Sequence, residues 1–190
     1  MKLISGIFLC IFGLMCSDAL AASSYNKTIG GIVYGSIPLV DTLPNVDLGI
    51  GGGAYFDYRM NQRFSVTIEA FAITQDGTSR SQGEGSIEFM GIPTVTFKIY
   101  FLEEGSKLDP YAGIGVGFFL LTEGGISDST GGVGLGAQVE VGLDYLLNDH
   151  LSMGAAGTFR SVGLITKFSG AANATTYMPY TLLGKIGYHF

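Results

Sequence analysis

The side chains able to do acid–base or metal chemistry are few and scattered. Two histidines occur, His150 in the stretch LLNDHL and His189 next to the last residue. A histidine becomes a general base only with a nucleophile in hydrogen-bond reach and a further group to orient it. His150 falls in a short turn. His189 is expected to face inward beside the terminal carboxylate, far from any loop serine, so no catalytic residue is assigned. Both cysteines, Cys10 and Cys16, lie in the apolar N-terminal stretch, which leaves the rest of the sequence without thiolate ligands or disulfides. There is no D-x-D-x-D-G calcium loop. The acids Asp76, Glu84, Glu123 and Asp128 read as a solvated loop surface or, alternatively, as holders of divalent cations. No metal and no cofactor are expected.

Composition says what kind of element must carry these groups. Charged residues make up 14% of the 190, and 30 are glycine, against usual shares of about 25% and about 7%. The mean hydropathy is +0.38. Yet beyond the N-terminus no run reaches the roughly 18 apolar residues of a membrane helix. The N-terminus itself reads as a secretory signal peptide over residues 1–21. It has Lys2, then an apolar stretch, then Ala19-Leu20-Ala21 as the cleavage signal, which leaves 22–190 as the mature domain. Lipidation of Cys16 is the rival reading, but Gly13-Leu14-Met15 lacks the small residue that normally precedes a lipidated cysteine. A net charge of −6 argues against nucleic acid and against anionic lipid surfaces as partners.

Eight stretches alternate with period 2, at about 28–37, 46–58, 63–74, 86–101, 110–122, 132–146, 151–162 and 178–190. In the fifth, DPYAGIGVGFFLL, glycines occupy one face while Ile114, Val116 and Phe118 occupy the other. In the sixth, Val133, Leu135, Val139 and Val141 oppose Gly134, Gln138, Glu140 and Asp144. The fourth is expected to set Ile87, Phe89, Val95, Phe97 and Ile99 against Glu88, Met90, Thr94, Thr96 and Lys98. Glycine is a poor strand residue in water but fits the crowded interior of an eight-stranded barrel. The apolar faces are therefore assigned to lipid and the glycine-bearing faces to a narrow lumen. Phe56, Tyr58, Phe64, Phe101, Tyr145, Tyr188 and Phe190 gather at one end as an interfacial girdle.

Connections alternate between short turns (RMNQR, LEEGSKLD, LLNDHL) and longer loops (PLVDTLPN, QDGTSRSQGEG, EGGISDSTG, GLITKFSGAANATTY). The last loop is expected to be the most mobile. The signal, the eight stretches, DPYAGIGVG and the ending LLGKIGYHF resemble the eight-stranded bacterial outer-membrane β-barrel family, which includes OmpA-like, OmpX-like and OmpW-like barrels. The resemblance implies an all-β, membrane-spanning, antiparallel up-and-down barrel in the cell outer membrane. It implies periplasmic termini and extracellular long loops. Outer-membrane lipids, lipopolysaccharide and the assembly machinery are the implied partners, with a monomeric barrel. It also makes Ile186, Tyr188 and Phe190 part of a C-terminal insertion signal.

By parity the lumen receives Asp47, Asp57, Glu69, Glu88, Glu140 and Asp144 together with Arg59, Lys98, Arg160 and Lys185. Enclosed charges must pair or hydrogen-bond, so Glu69 and Glu140 are expected to meet Lys185 or Arg160 at mid-barrel. The expected function is that of a non-enzymatic barrel with a filled polar lumen and a structural or surface-interaction role. The alternatives are a narrow conduit for small or hydrophobic solutes in the OmpW-like manner, or an enzyme acting on lipid A. The last is disfavoured because both histidines belong to the short-turn end.

Overall fold

The computed structural model describes residues 26–38, 46–79, 83–101, 106–123, 131–166 and 173–190. Ala19 and Ala21 of the expected cleavage signal lie outside these residues, as does Asp128. The strands are β1 (Lys27–Pro38), β2 (Val46–Arg59), β3 (Phe64–Ser79), β4 (Gly83–Tyr100), β5 (Leu108–Glu123), β6 (Gly131–Leu146), β7 (Leu151–Thr166), β8 (Asn173–Tyr177) and β9 (Pro179–His189). Each pairs antiparallel with its neighbour, and β9 returns to pair with β1. Both β8 and β9 pair with β7, so they are one strand interrupted at Met178. The result is a closed eight-stranded barrel, which leaves no sheet edge to lipid.

Several strands run 14 to 18 residues, longer than the roughly 9–11 a tilted strand needs to cross a bilayer. Two of the expected loops are therefore shorter than their sequences suggest. In QDGTSRSQGEG the strands continue to Ser79 and resume at Gly83. In GLITKFSGAANATTY they continue to Thr166 and resume at Asn173, and residues 167–172 lie outside the described residues. The backbones of Asp76, Glu84 and Glu123 consequently belong to β3, β4 and β5.

Period 2 sorts the faces. Ile114, Val116 and Phe118 of β5, and Val133, Leu135, Val139 and Val141 of β6, are exposed on the outer wall. Inward glycines occupy places with no room for more. A Cβ on Gly51 would stand 2.2 Å from the Ala72 carbonyl oxygen, and one on Gly134 would stand 2.0 Å from that of Gly163. At the short-turn end, Phe56, Tyr58, Phe101, Tyr145, Tyr188 and Phe190 are exposed, and Phe64 stacks on Phe97 at 5.5 Å.

Besides a register shift between Val46 and Gly49 on β2, the ladder breaks on β4, where the alternation of the described side chains reverses. The step from Glu69 to Phe71 on β3, and from Gly117 to Phe119 on β5, is matched by the longer step from Thr94 to Gly91 on β4. One extra residue on β4 inverts the parity beyond it. Thr94, Thr96 and Lys98 point inward below this bulge. Above it Phe89, expected toward lipid, is wholly buried at 0% exposure. Pro93 fits the break because it has no N–H for the ladder.

Candidate functional site, the barrel lumen

From the short-turn end upward, the lumen is built in levels. At the rim Arg59 pairs with Asp109 at 2.7 Å and stacks over Tyr100 at 3.9 Å. His189 lies beside two hydroxyls, Thr28 Oγ1 at 2.9 Å and Ser152 Oγ at 2.8 Å. A serine does reach the imidazole, from the start of β7 rather than from a loop. The other ring nitrogen meets a threonine, so among the described residues both nitrogens bond hydroxyls rather than the carboxylate that orients a catalytic imidazole.

Above the rim Asp57 accepts hydrogen bonds from Ser65 and Thr67. Lys185 pairs with Asp144 at 2.9 Å and donates to the Tyr111 hydroxyl at 3.1 Å. Next, Lys98 pairs with Glu140 at 3.4 Å. Glu140 also accepts from Tyr111 at 2.6 Å and Thr158 at 3.2 Å. These shared acceptors link β4, β5, β6, β7 and β9, with each charge held by a partner as burial requires.

The highest charged level holds Glu69 and Arg160. Tyr34 donates to Glu69 at 3.3 Å. Arg160 donates through Nε to Gln138 at 2.9 Å and through Nη1 to Thr181 at 2.5 Å, and Gln138 donates to Thr96 at 2.6 Å. The expected pairing of Glu69 and Glu140 with Lys185 or Arg160 is not what forms. Among the described residues, the lumen pairs are Arg59–Asp109, Lys98–Glu140 and Lys185–Asp144. Equal residue counts along two strands do not give equal heights, because strand tilt and stagger shift each strand against the next.

Beyond Arg160 the lining turns largely apolar, with one buried polar set toward the loop end in which Tyr177 donates to Gln75 at 2.5 Å and Gln75 donates to Ser36 at 3.5 Å. Phe89 stacks on Phe119 at 5.4 Å with 3° between the ring planes, Phe71 lies 5.9 Å from Phe89, and Tyr177 meets Phe89 edge-on at 5.0 Å. Ile73, Leu121, Val162 and Leu164 complete this buried level. Sequence reading missed it. The run Phe118-Phe119-Leu120-Leu121 carried the signal, since it is apolar at both parities.

On the outer wall beside the bulge, a groove of about 260 Å³ is lined by Ile29, Ala54, Phe56, Ile68, Ala70 and Pro93, with Tyr55 and Glu69 at its base. Ile186, Tyr188 and Phe190 all face outward, and Tyr188 stacks on His150 at 5.7 Å.

A closed antiparallel barrel with a lipid-compatible outer wall and a packed polar lumen is the architecture of an outer-membrane barrel. The chain belongs to the family described as "Outer membrane protein beta-barrel domain", which it matches over residues 7–190. It is 25% identical over 111 residues to Outer membrane protein W of Salmonella typhimurium, covering 52% of each chain. The chain thus spans about half the length of the curated relatives it matches. In fold it is similar to OprG of Pseudomonas aeruginosa, with a TM-score of 0.65 and 20% identity over 90% of this chain and 98% of that one. It is likewise similar to Neisserial surface protein A, with a TM-score of 0.65 and 11% identity over 90% and 99%. The protein is an outer-membrane β-barrel of the cell outer membrane.

Proposed function

We propose that the protein is a non-enzymatic outer-membrane barrel whose lumen is sealed to water and ions, so that it acts through its surface rather than as an open pore. The observation that carries this reading is the burial of Lys98, Glu140 and Arg160 at mid-barrel, directly below the Phe71–Phe89–Phe119 level. Ions would have to pass both a set of committed charges and a greasy constriction. In this reading the termini and short turns face the periplasm and the long loops face outward toward lipopolysaccharide. Phe190, Tyr188 and Ile186 engage the assembly machinery, and the barrel is a monomer. Planar-bilayer recording tests it: no steady conductance is expected, and reproducible openings overturn the seal. Unchanged lipid A mass spectra with and without expression are expected of a barrel without enzymatic activity.

One feature favours a second reading, a conduit for small apolar molecules. The upper lumen is mostly apolar, and the β3–β4 ladder breaks at Glu69–Phe71, where the outer wall carries an apolar groove. An apolar solute arriving from the loop end would find greasy surface within and a weakened wall toward lipid. Faster uptake of an apolar dye by expressing cells, without ion conductance, is the expected result.

A further inference from the structure

Arg160 is the unusual group in the lumen. It is fully buried, at 0% exposure, and among the described residues no carboxylate lies within salt-bridge distance of it. Its hydrogen bonds go to neutral groups, Gln138 and Thr181, and its Nη2 has no hydrogen-bond partner. A buried ionised group left short of a partner is costly. The other three lumen cations each hold a carboxylate within 4 Å.

Its position gives the spare donor a direction. The guanidinium lies 4.6 Å from the Phe71 ring centroid, so Arg160 is the cation that borders the apolar level. A second unpartnered buried atom, Thr94 Oγ1, stands at the same level. A Cβ placed on Gly91 would come within 2.4 Å of Phe71 and 2.9 Å of Thr94, which puts those two side chains side by side. Glu69 does not use the spare donor. It lies beyond salt-bridge distance of Arg160, with Tyr34 between them, whose hydroxyl serves the carboxylate while its ring lies 5.7 Å from the guanidinium.

Resting on the conduit reading, we propose that Arg160 is the head-group receptor for a single-chain amphiphile with a carboxylate head. The acyl chain lies along Phe71, Phe89, Phe119, Val162 and Leu164. The carboxylate accepts from Arg160 Nη2, with Thr94 Oγ1 as a second donor. Access from the loop end requires Phe89 and Phe119 to swing apart, a side-chain motion on two strands whose backbone ladder is already offset there. Arg, with its planar fork of donors, suits a carboxylate better than a lysine would. An uncharged chain of equal length gains the apolar contacts alone.

The chain has no tryptophan, so Phe119→Trp gives a single reporter inside the lumen and Ile114→Trp one on the lipid face. In lipid nanodiscs the full-length protein is titrated with terminally brominated dodecanoate and, separately, with the matching bromododecanol. The lumen reporter should be quenched saturably, at a concentration at least about tenfold lower for the acid than for the alcohol. The lipid-face reporter should show no such preference. Arg160→Gln should abolish the preference while leaving quenching by the alcohol in place. Equal quenching by acid and alcohol overturns the head-group proposal and leaves the conduit reading standing. A lumen reporter that neither compound reaches overturns both. Where Phe119→Trp disturbs the ring stack, Leu164→Trp reports from the same level. The comparison of acid with alcohol needs no change at Arg160, so a variant there that fails to fold does not shield the proposal.

Discussion

Removing one partner of the Lys98–Glu140 pair probes whether the lumen is dry. The side chains are 2% and 1% exposed with their charged atoms 3.4 Å apart, so a lone survivor has no water to turn to. Losing one member of such a pair costs about 3–5 kcal/mol. The two single variants should differ within that range. Lys98→Met leaves Glu140 with Tyr111 at 2.6 Å and Thr158 at 3.2 Å, which places it near the lower end, about 3 kcal/mol. Glu140→Met leaves Lys98 with no carboxylate within salt-bridge distance, only the Tyr111 ring at 4.7 Å and the more distant Glu69, which places it toward the upper end, about 4–5 kcal/mol. The double variant removes both charges and should cost less than the sum of the singles by at least about 2 kcal/mol. Urea titration in lipid vesicles, read by heat-modifiable gel migration, measures all three. If each single variant falls within about 1 kcal/mol of the parent and the double is additive, water reaches the pair, and the sealed lumen is refuted.

Val139, exposed on the outer wall, should not accept Arg: Val139→Arg is expected to cost about 2–4 kcal/mol at mid-bilayer, and an unchanged folding midpoint in vesicles rejects the face assignment. Gly134→Ala should destabilise by about 1–3 kcal/mol through overpacking, because its Cβ would meet backbone at 2.0 Å, whereas Gly35→Ala, with nothing within 4 Å, should be neutral; equal midpoints for the two would contradict the packing argument. Deleting Phe190, which faces outward, should lower outer-membrane levels in cells more than it lowers the unfolding midpoint of purified protein, and equal levels of the two chains would remove it from the insertion signal.

The wall of this barrel is legible in its sequence because one rule governs it: every second residue meets lipid. Strand 6 obeys the rule from Val133 to Tyr145, and the exposed residues there are those the alternation picks out. Phe89 breaks it because a single extra residue on β4 reverses the part of the strand above it. The sequence held a warning in Gly91 and Pro93, residues that mark bulges within strands. The lumen was legible as a set of inward charges but not as a set of pairs. Which lysine meets which acid depends on how far each strand slides along its neighbour, and the alternation carries no record of that. The Ser152–His189 approach has the same origin, joining β7 to β9 at the rim.

The fifth strand is wettable on neither side near its upper end. Phe118 and Leu120 turn outward while Phe119 and Leu121 fill the interior. Before closure those four residues are a short, uncharged, proline-free run of strand-forming side chains, the composition from which copies of a chain stack on one another. While the polypeptide is still a loose thread in water, the stretch that later stoppers the barrel is therefore its stickiest point. A holding chaperone would have most reason to grip there, and strands 4 and 6 must arrive on either side before it can be let go.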